Sequence, residues 1–180
     1  MLERRSAIRL AKLISQFRGN RRANVAINFA LALIPILISI GCAVDYSLAV
    51  RMRSKMQAAA DAASVGSISQ SSPGYAAAEA MSSNGSVAAG VTDAKNIFMG
   101  NLCGPQQSGG CTNVTGYSNL TVTPTVTKSS SALTSVVSFS ASVPVVFLKV
   151  IGFQTLTISG TSSSSAAMST YLDFYLLLDV

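Results

Sequence analysis

The chain contains no histidine and no tryptophan among its 180 residues, and only 11% of its residues are charged. Without an imidazole there can be no Ser-His or Cys-His pair and no histidine-based metal motif. Nor is there a Ser-x-x-Lys, a Walker loop or a dinucleotide fingerprint. Carboxylates past the N-terminal segment are sparse (Asp45, Asp61, Glu79, Asp93, Asp173 and Asp179), and none stands near another in an acid/base arrangement. These absences predict a protein that is not an enzyme and uses no cofactor or small-molecule substrate.

Acidic residues are also scarce, 7 against 13 basic ones, and the imbalance is local. Arg4, Arg5, Arg9, Lys12, Arg18, Arg21 and Arg22 all lie within the first 22 positions, opposed there only by Glu3. A phosphate-tracking surface needs basic residues spread over a folded face, usually with aromatics between them, so nucleic-acid binding is not expected. Directly after this segment, Val25 to Val44 (VAINFALALIPILISIGCAV) carries no charge. Twenty helical residues at about 1.5 Å each span roughly the 30 Å hydrocarbon core of a bilayer. The expected organisation is a cytoplasmic basic tail (1–24), a transmembrane helix (25–44) and an exported remainder, oriented by the positive-inside rule, because only Arg51, Arg53 and Lys55 follow the span closely. Asn28 and Pro35 are tolerable in such a span. A cleaved signal peptide is the rival reading, but the apolar run is longer than a signal h-region and no clean A-x-A site follows it. Ser39-Ile40-Gly41-Cys42 has Ser where a lipoprotein cleavage box expects Leu.

Beyond the span, Leu48, Met52, Met56, Ala59 and Ala63 recur at helical intervals, and Gly66 followed by SISQSSPG supplies a stop. One helix of about forty residues is predicted, a membrane segment prolonged as a stalk. Within it, Arg18 to Ala63 resembles the N-terminal module of the TadE/TadG-like family of Flp (Tad) pilus assembly. The resemblance rests on Arg18-Gly19-Asn20 with Asn24 and Ala26, on Pro35 within the apolar run, on Ala43-Val44-Asp45-Tyr46 at its exit, and on Met56 to Ala63 (MQAAADAA). The module is taken as residues 18–66. The resemblance implies an envelope component of the pilus machinery in the bacterial inner membrane, with other Tad proteins as partners. Two alternatives stay open, a minor pilin or pseudopilin subunit and a secreted adhesin-like binding protein. Against a pilin, the fifth position after Gly19 is Asn24 rather than Glu, and Arg21 and Arg22 would burden a helix entering a fibre core.

Residues 67–170 read as an exported, Ser/Thr-rich α+β region. Short helices are expected at Tyr75–Met81 and near Thr92–Phe98. Three antiparallel strands are expected where Leu120, Val122 and Val126, then Val137, Phe139, Ala141 and Val143, then Leu156 and Ile158 alternate mainly with Ser or Thr. Pro124 belongs at an edge or a bulge because it cannot donate to a ladder. PVVFLKVIGF, Pro144 to Phe153, is either a core-packing helical turn or a patch that meets a membrane surface or a partner. Cys103 and Cys111 bracket a short polar loop and are expected to form a disulfide if exported; two thiols without His make a poor zinc site. Asn84, Asn113 and Asn119 begin formal glycosylation sequons.

The last ten residues, 171–180, form a continuous apolar strand closed by Asp179 and resemble the first strand of a von Willebrand factor A domain. That likeness implies Asp179 as the first ligand of the metal site, with the remaining ligands beyond Val180, so no complete metal site is expected. The fold class expected overall is α+β: a single transmembrane helix extended into a stalk, followed by a small antiparallel-sheet domain.

Overall fold

The computed structural model describes residues 21–104 and 116–168. The tail 1–20, Cys111, Asn113 and the expected strand 171–180 with Asp179 lie outside these residues. The protein is α+β. A helix α1 (Arg21–Gly66) is followed by α2 (Pro73–Ala80), β1 (Gly85–Ser86), α3 (Ala88–Cys103), β2 (Ser118–Ser129), β3 (Ala132–Pro144), a short 3-10 turn (Leu148–Ile151) and β4 (Thr155–Ala167). The strands form one antiparallel meander in the order β1-β2-β3-β4.

The helix α1 runs unbroken for 46 residues through Pro35. Pro35 has no N–H to offer Leu31, and the Ser39 hydroxyl donates back to the Pro35 carbonyl at 2.8 Å. In its first half the large side chains, among them Ile27, Phe29, Leu31 and Leu37, face outward uncovered. In its second half a stripe of mostly small residues (Ala49, Met56, Ala59, Ala60, Ala63) is buried against the sheet and α3. Leu48, expected on that stripe, is exposed. At 100° per residue Ala49 stands about 20° from Met56 on the helical wheel and Leu48 about 80° away, so the packing follows Ala49.

The helix α2 starts where Ser72 accepts from the Tyr75 N–H at 3.0 Å with Pro73 in the first turn, two features that favour a helix start. It spans Pro73–Ala80 rather than Tyr75–Met81, and its C-terminal carbonyls at Ala78 and Met81 accept from Lys128 Nζ at 2.8 and 2.6 Å. The helix α3 begins four residues earlier and ends five later than expected, because Ala94, Phe98 and Leu102 continue one buried face to its end. Gly74 lies so close to Ser67 and Gly90 that a Cβ there would collide with backbone, which is how α2 crosses α3 at near contact.

All three expected strands are present, and the two-residue β1 pairs with Thr127 and Lys128 at one end of β2. Residues of β2 before Thr127 are therefore an edge, and Pro124 sits on it. The sheet's inner face carries Val126, Leu133, Val137, Phe139, Ala141, Val143 and Ile158 into the core, with the Phe98 and Phe139 rings 6.0 Å apart. Its outer face is almost wholly hydroxyl: Thr121, Thr123, Thr125 and Thr127 of β2 pair across β3 with Ser140, Ser138, Val136 and Thr134, which pair with Ser159, Thr161, Ser163 and Ser165 of β4. This is the alternation of a sheet covered on one side only.

Side chains of α1 lace the helix to the sheet. Arg53 Nε donates to the Ser159 carbonyl at 3.1 Å, and Gln57 Nε2 to the Thr161 carbonyl at 3.2 Å. Further along, Ser64 is within 3.0 Å of Ser162 and 2.9 Å of Ser164, and Ser67 within 2.9 Å of the buried Ser135. The hydroxyls partner one another, which is what allows them into an interface that burial would otherwise penalise.

Candidate functional site at the end of the apolar run

The charge-free run ends at Val44, and the next residue is an acid that is 2% exposed. Asp45 follows Gly41 by one turn of α1 and both face the loop joining β3 to β4. That loop, residues 145–154, continues the ladder by one bond from the Val145 N–H to the Gln154 carbonyl and then folds into the 3-10 turn. At the start of such a turn successive backbone N–H groups have no partner within the turn. Asp45 supplies one from a hundred residues away. Its Oδ1 accepts from the Val146 N–H at 3.1 Å, and its Oδ2 accepts from Phe147 at 2.8 Å and Leu148 at 2.7 Å. Burial pushes the Asp45 carboxyl up, but the three N–H donors and the nearby Lys149 ammonium outweigh it and hold the group below its usual value. A carboxylate that is desolvated yet so well supplied with donors acts as a clamp, not as a proton carrier.

Gly41 completes the clamp by leaving space. A Cβ built on it would lie 2.5 Å from Phe147 Cβ and 2.6 Å from its Cγ, so the Phe147 side chain rests directly on the helix backbone. The turn closes at Gly152, whose φ of 97° suits glycine and whose N–H donates to the Lys149 carbonyl at 3.1 Å.

The loop is helical as expected, but it is not a core-packing turn. Val145 is buried beneath it, whereas Val146, Phe147, Val150, Ile151 and Phe153 are all exposed, Val150 at 75%. Beside it, a shallow groove of about 250 Å³ between α1 and β4 is lined by Tyr46, Ala49, Val50, Arg53, Leu156 and Ser159 among others.

Cys42, next to Gly41, is free, and Cys103 ends α3. Its expected partner Cys111 and the candidate metal ligand Asp179 lie outside the described residues. Among the described residues no group of three Cys, Asp or Glu is placed to hold a metal ion. Sequence reasoning missed the role of Asp45. The available signal was its position, an acid abutting a charge-free run of membrane length, where an uncompensated carboxylate is costly and its partner should be sought.

The arrangement is that of a small α+β domain built directly onto the second half of an apolar helix, and α1 is the one helix among the described residues long and apolar enough to cross a membrane. Residues 24–67 match the family described as putative Flp pilus-assembly TadE/G-like. The match covers nearly the whole of α1, including Gly41 and Asp45. No curated protein and no solved structure matches the chain.

Proposed function

We propose that the chain is a membrane-anchored envelope component of Flp/Tad pilus assembly that acts through protein contact rather than catalysis. Residues 25–44 are the single span, the N-terminus is cytoplasmic, and the α+β domain stands on the periplasmic side of the bacterial inner membrane. The observation that carries this reading is the family match at residues 24–67, which falls on the one helix among the described residues with membrane length and composition. The seven basic residues before the span support the orientation. The reading includes a disulfide between Cys103 and Cys111 across the short polar loop, which an oxidising compartment would maintain.

Expression of the full chain with a C-terminal tag in a Gram-negative host tests the reading. Full-length protein should remain in the inner membrane, and protease added to spheroplasts should remove the tag. Thiol labelling after denaturation without reductant should modify one cysteine per chain, Cys42, and three after reduction. Loss of the first 19 residues would instead indicate a processed pilin-like subunit. Loss of the first 41 would indicate a lipoprotein. Protection of the tag in spheroplasts would reverse the topology.

A further inference from the structure

Among the described residues outside α1, every exposed large hydrophobic side chain falls between Val146 and Phe153. The rest of the domain surface is dominated by Ser and Thr, so these five side chains form a single apolar tip on an otherwise polar body. A tip of this kind needs a cover. The clamp fixes where the cover must be. Three backbone N–H groups tie the loop to Asp45, the residue directly after the charge-free run, and the Phe147 side chain rests on Gly41, one turn back inside that run. One helical turn is about 5.4 Å along the axis, so the loop lies level with the last turn of the apolar run. The tip also has the composition of an interfacial segment: aliphatic and phenyl side chains, no acid, and one exposed Lys149 long enough to reach outward to a phosphate. Tyr46, exposed beside it on α1, fits the aromatic belt at the same level.

We infer that the 146–153 loop is a second membrane contact, inserted from the exported side into the outer leaflet of the same bilayer that α1 crosses, with Lys149 at the headgroup phosphates. The inference rests on the anchor reading of α1, because it takes its height from the end of the span. The occupant is lipid rather than protein because Phe147 rests on Gly41, inside the charge-free run that the anchor reading places in the bilayer. Leu37, Ile40 and Val44, in the turns of α1 around that contact, are exposed, as are Val146, Phe147, Val150, Ile151 and Phe153 of the loop.

The absence of tryptophan makes a direct test available. Three variants of the full chain, each with one tryptophan, are reconstituted into bilayers containing lipids brominated near the carbonyl end or near the tail end of the acyl chain. Leu37→Trp reports the span, Val150→Trp the loop tip, and Thr127→Trp the opposite end of the sheet. The inference expects Val150→Trp to emit at blue-shifted wavelength and to be quenched mainly by bromine near the carbonyl end, while Thr127→Trp stays red and unquenched. Red, unquenched emission from Val150→Trp alongside quenched Leu37→Trp overturns the loop insertion and leaves the anchor standing. Blue-shifted but unquenched emission from Val150→Trp overturns it in favour of a covering protein, such as a second copy. An unquenched Leu37→Trp fails the anchor reading itself.

Discussion

Asp45 and Asp93 are acids whose surroundings act in opposite directions, and the pH dependence of the protein should divide accordingly. Asp45 sits below its ordinary value because its hydrogen-bond donors and Lys149 outweigh burial. Its stabilising contribution is therefore present in full above the unfolded value of 3.8 and is lost as pH falls through the lower folded value. Exchange protection of the Val146, Phe147 and Leu148 amides should hold down to that value and fall below it. Asp45→Asn should remove the protection at neutral pH, since an amide keeps one acceptor oxygen and turns an NH2 toward donors; unchanged protection in the variant would refute the clamp. Asp93 on α3 is raised above 3.8 by partial burial, so its charged form disfavours the fold. Its penalty is absent in acid and grows as pH rises through its folded value. Asp93→Asn should raise the melting temperature at pH 7 and leave it unchanged at pH 3, and equal shifts at both would point to a cause other than charge.

At the scale of elements, the interface between α1 and the sheet depends on small residues and paired hydroxyls more than on large apolar ones. Removing the Ser67 hydroxyl leaves the fully buried Ser135 without its partner at 2.9 Å. Ser67→Ala should cost about 1–3 kcal/mol, the penalty for orphaning a buried polar group, and adding Ser135→Ala should recover part of it. Denaturant unfolding of the full chain in detergent micelles would measure both; strictly additive losses would show that the two hydroxyls act separately.

The same elements show how far sequence reasoning reaches. The length of α1 was readable because a charge-free run, an Ala-rich segment and Gly66 follow one another without a breaker between them. The strands were readable because Ser and Thr alternate with Val, Leu, Ile and Phe on a sheet covered on one side. The N-terminal turn of α3 was not, since Ala88 to Val91 has no periodicity to mark it, and β1 is too short to leave a pattern. The clamp was legible in halves only. PVVFLKVIGF was conspicuous as an apolar stretch and Asp45 as a mark of the span's exit, but the two lie a hundred residues apart. No periodicity in either predicts that the β3–β4 loop returns to the one turn of α1 where an acid and a glycine make room for it.

At the scale of the whole molecule, α1 passes from the apolar run into the domain core without a linker, and the domain is fastened to it from Asp45 to Ser64. Labels on the outer face of the sheet should therefore report the attitude of the membrane segment. Fluorescence energy transfer from the sheet to headgroup dyes should change when the acyl chains are lengthened or shortened. A signal that does not change with acyl-chain length would mean that the domain moves independently of the apolar segment.

The unbroken helix makes the molecule a lever. From Asp45 to Gly66 it extends about 30 Å, so a tilt of about 10° within the bilayer swings its far end by roughly 5 Å. Helices adjust to bilayer thickness by tilting. With α1 as the proposed anchor, the angle at which the hydroxyl-covered sheet stands is thereby coupled to the thickness of the bilayer.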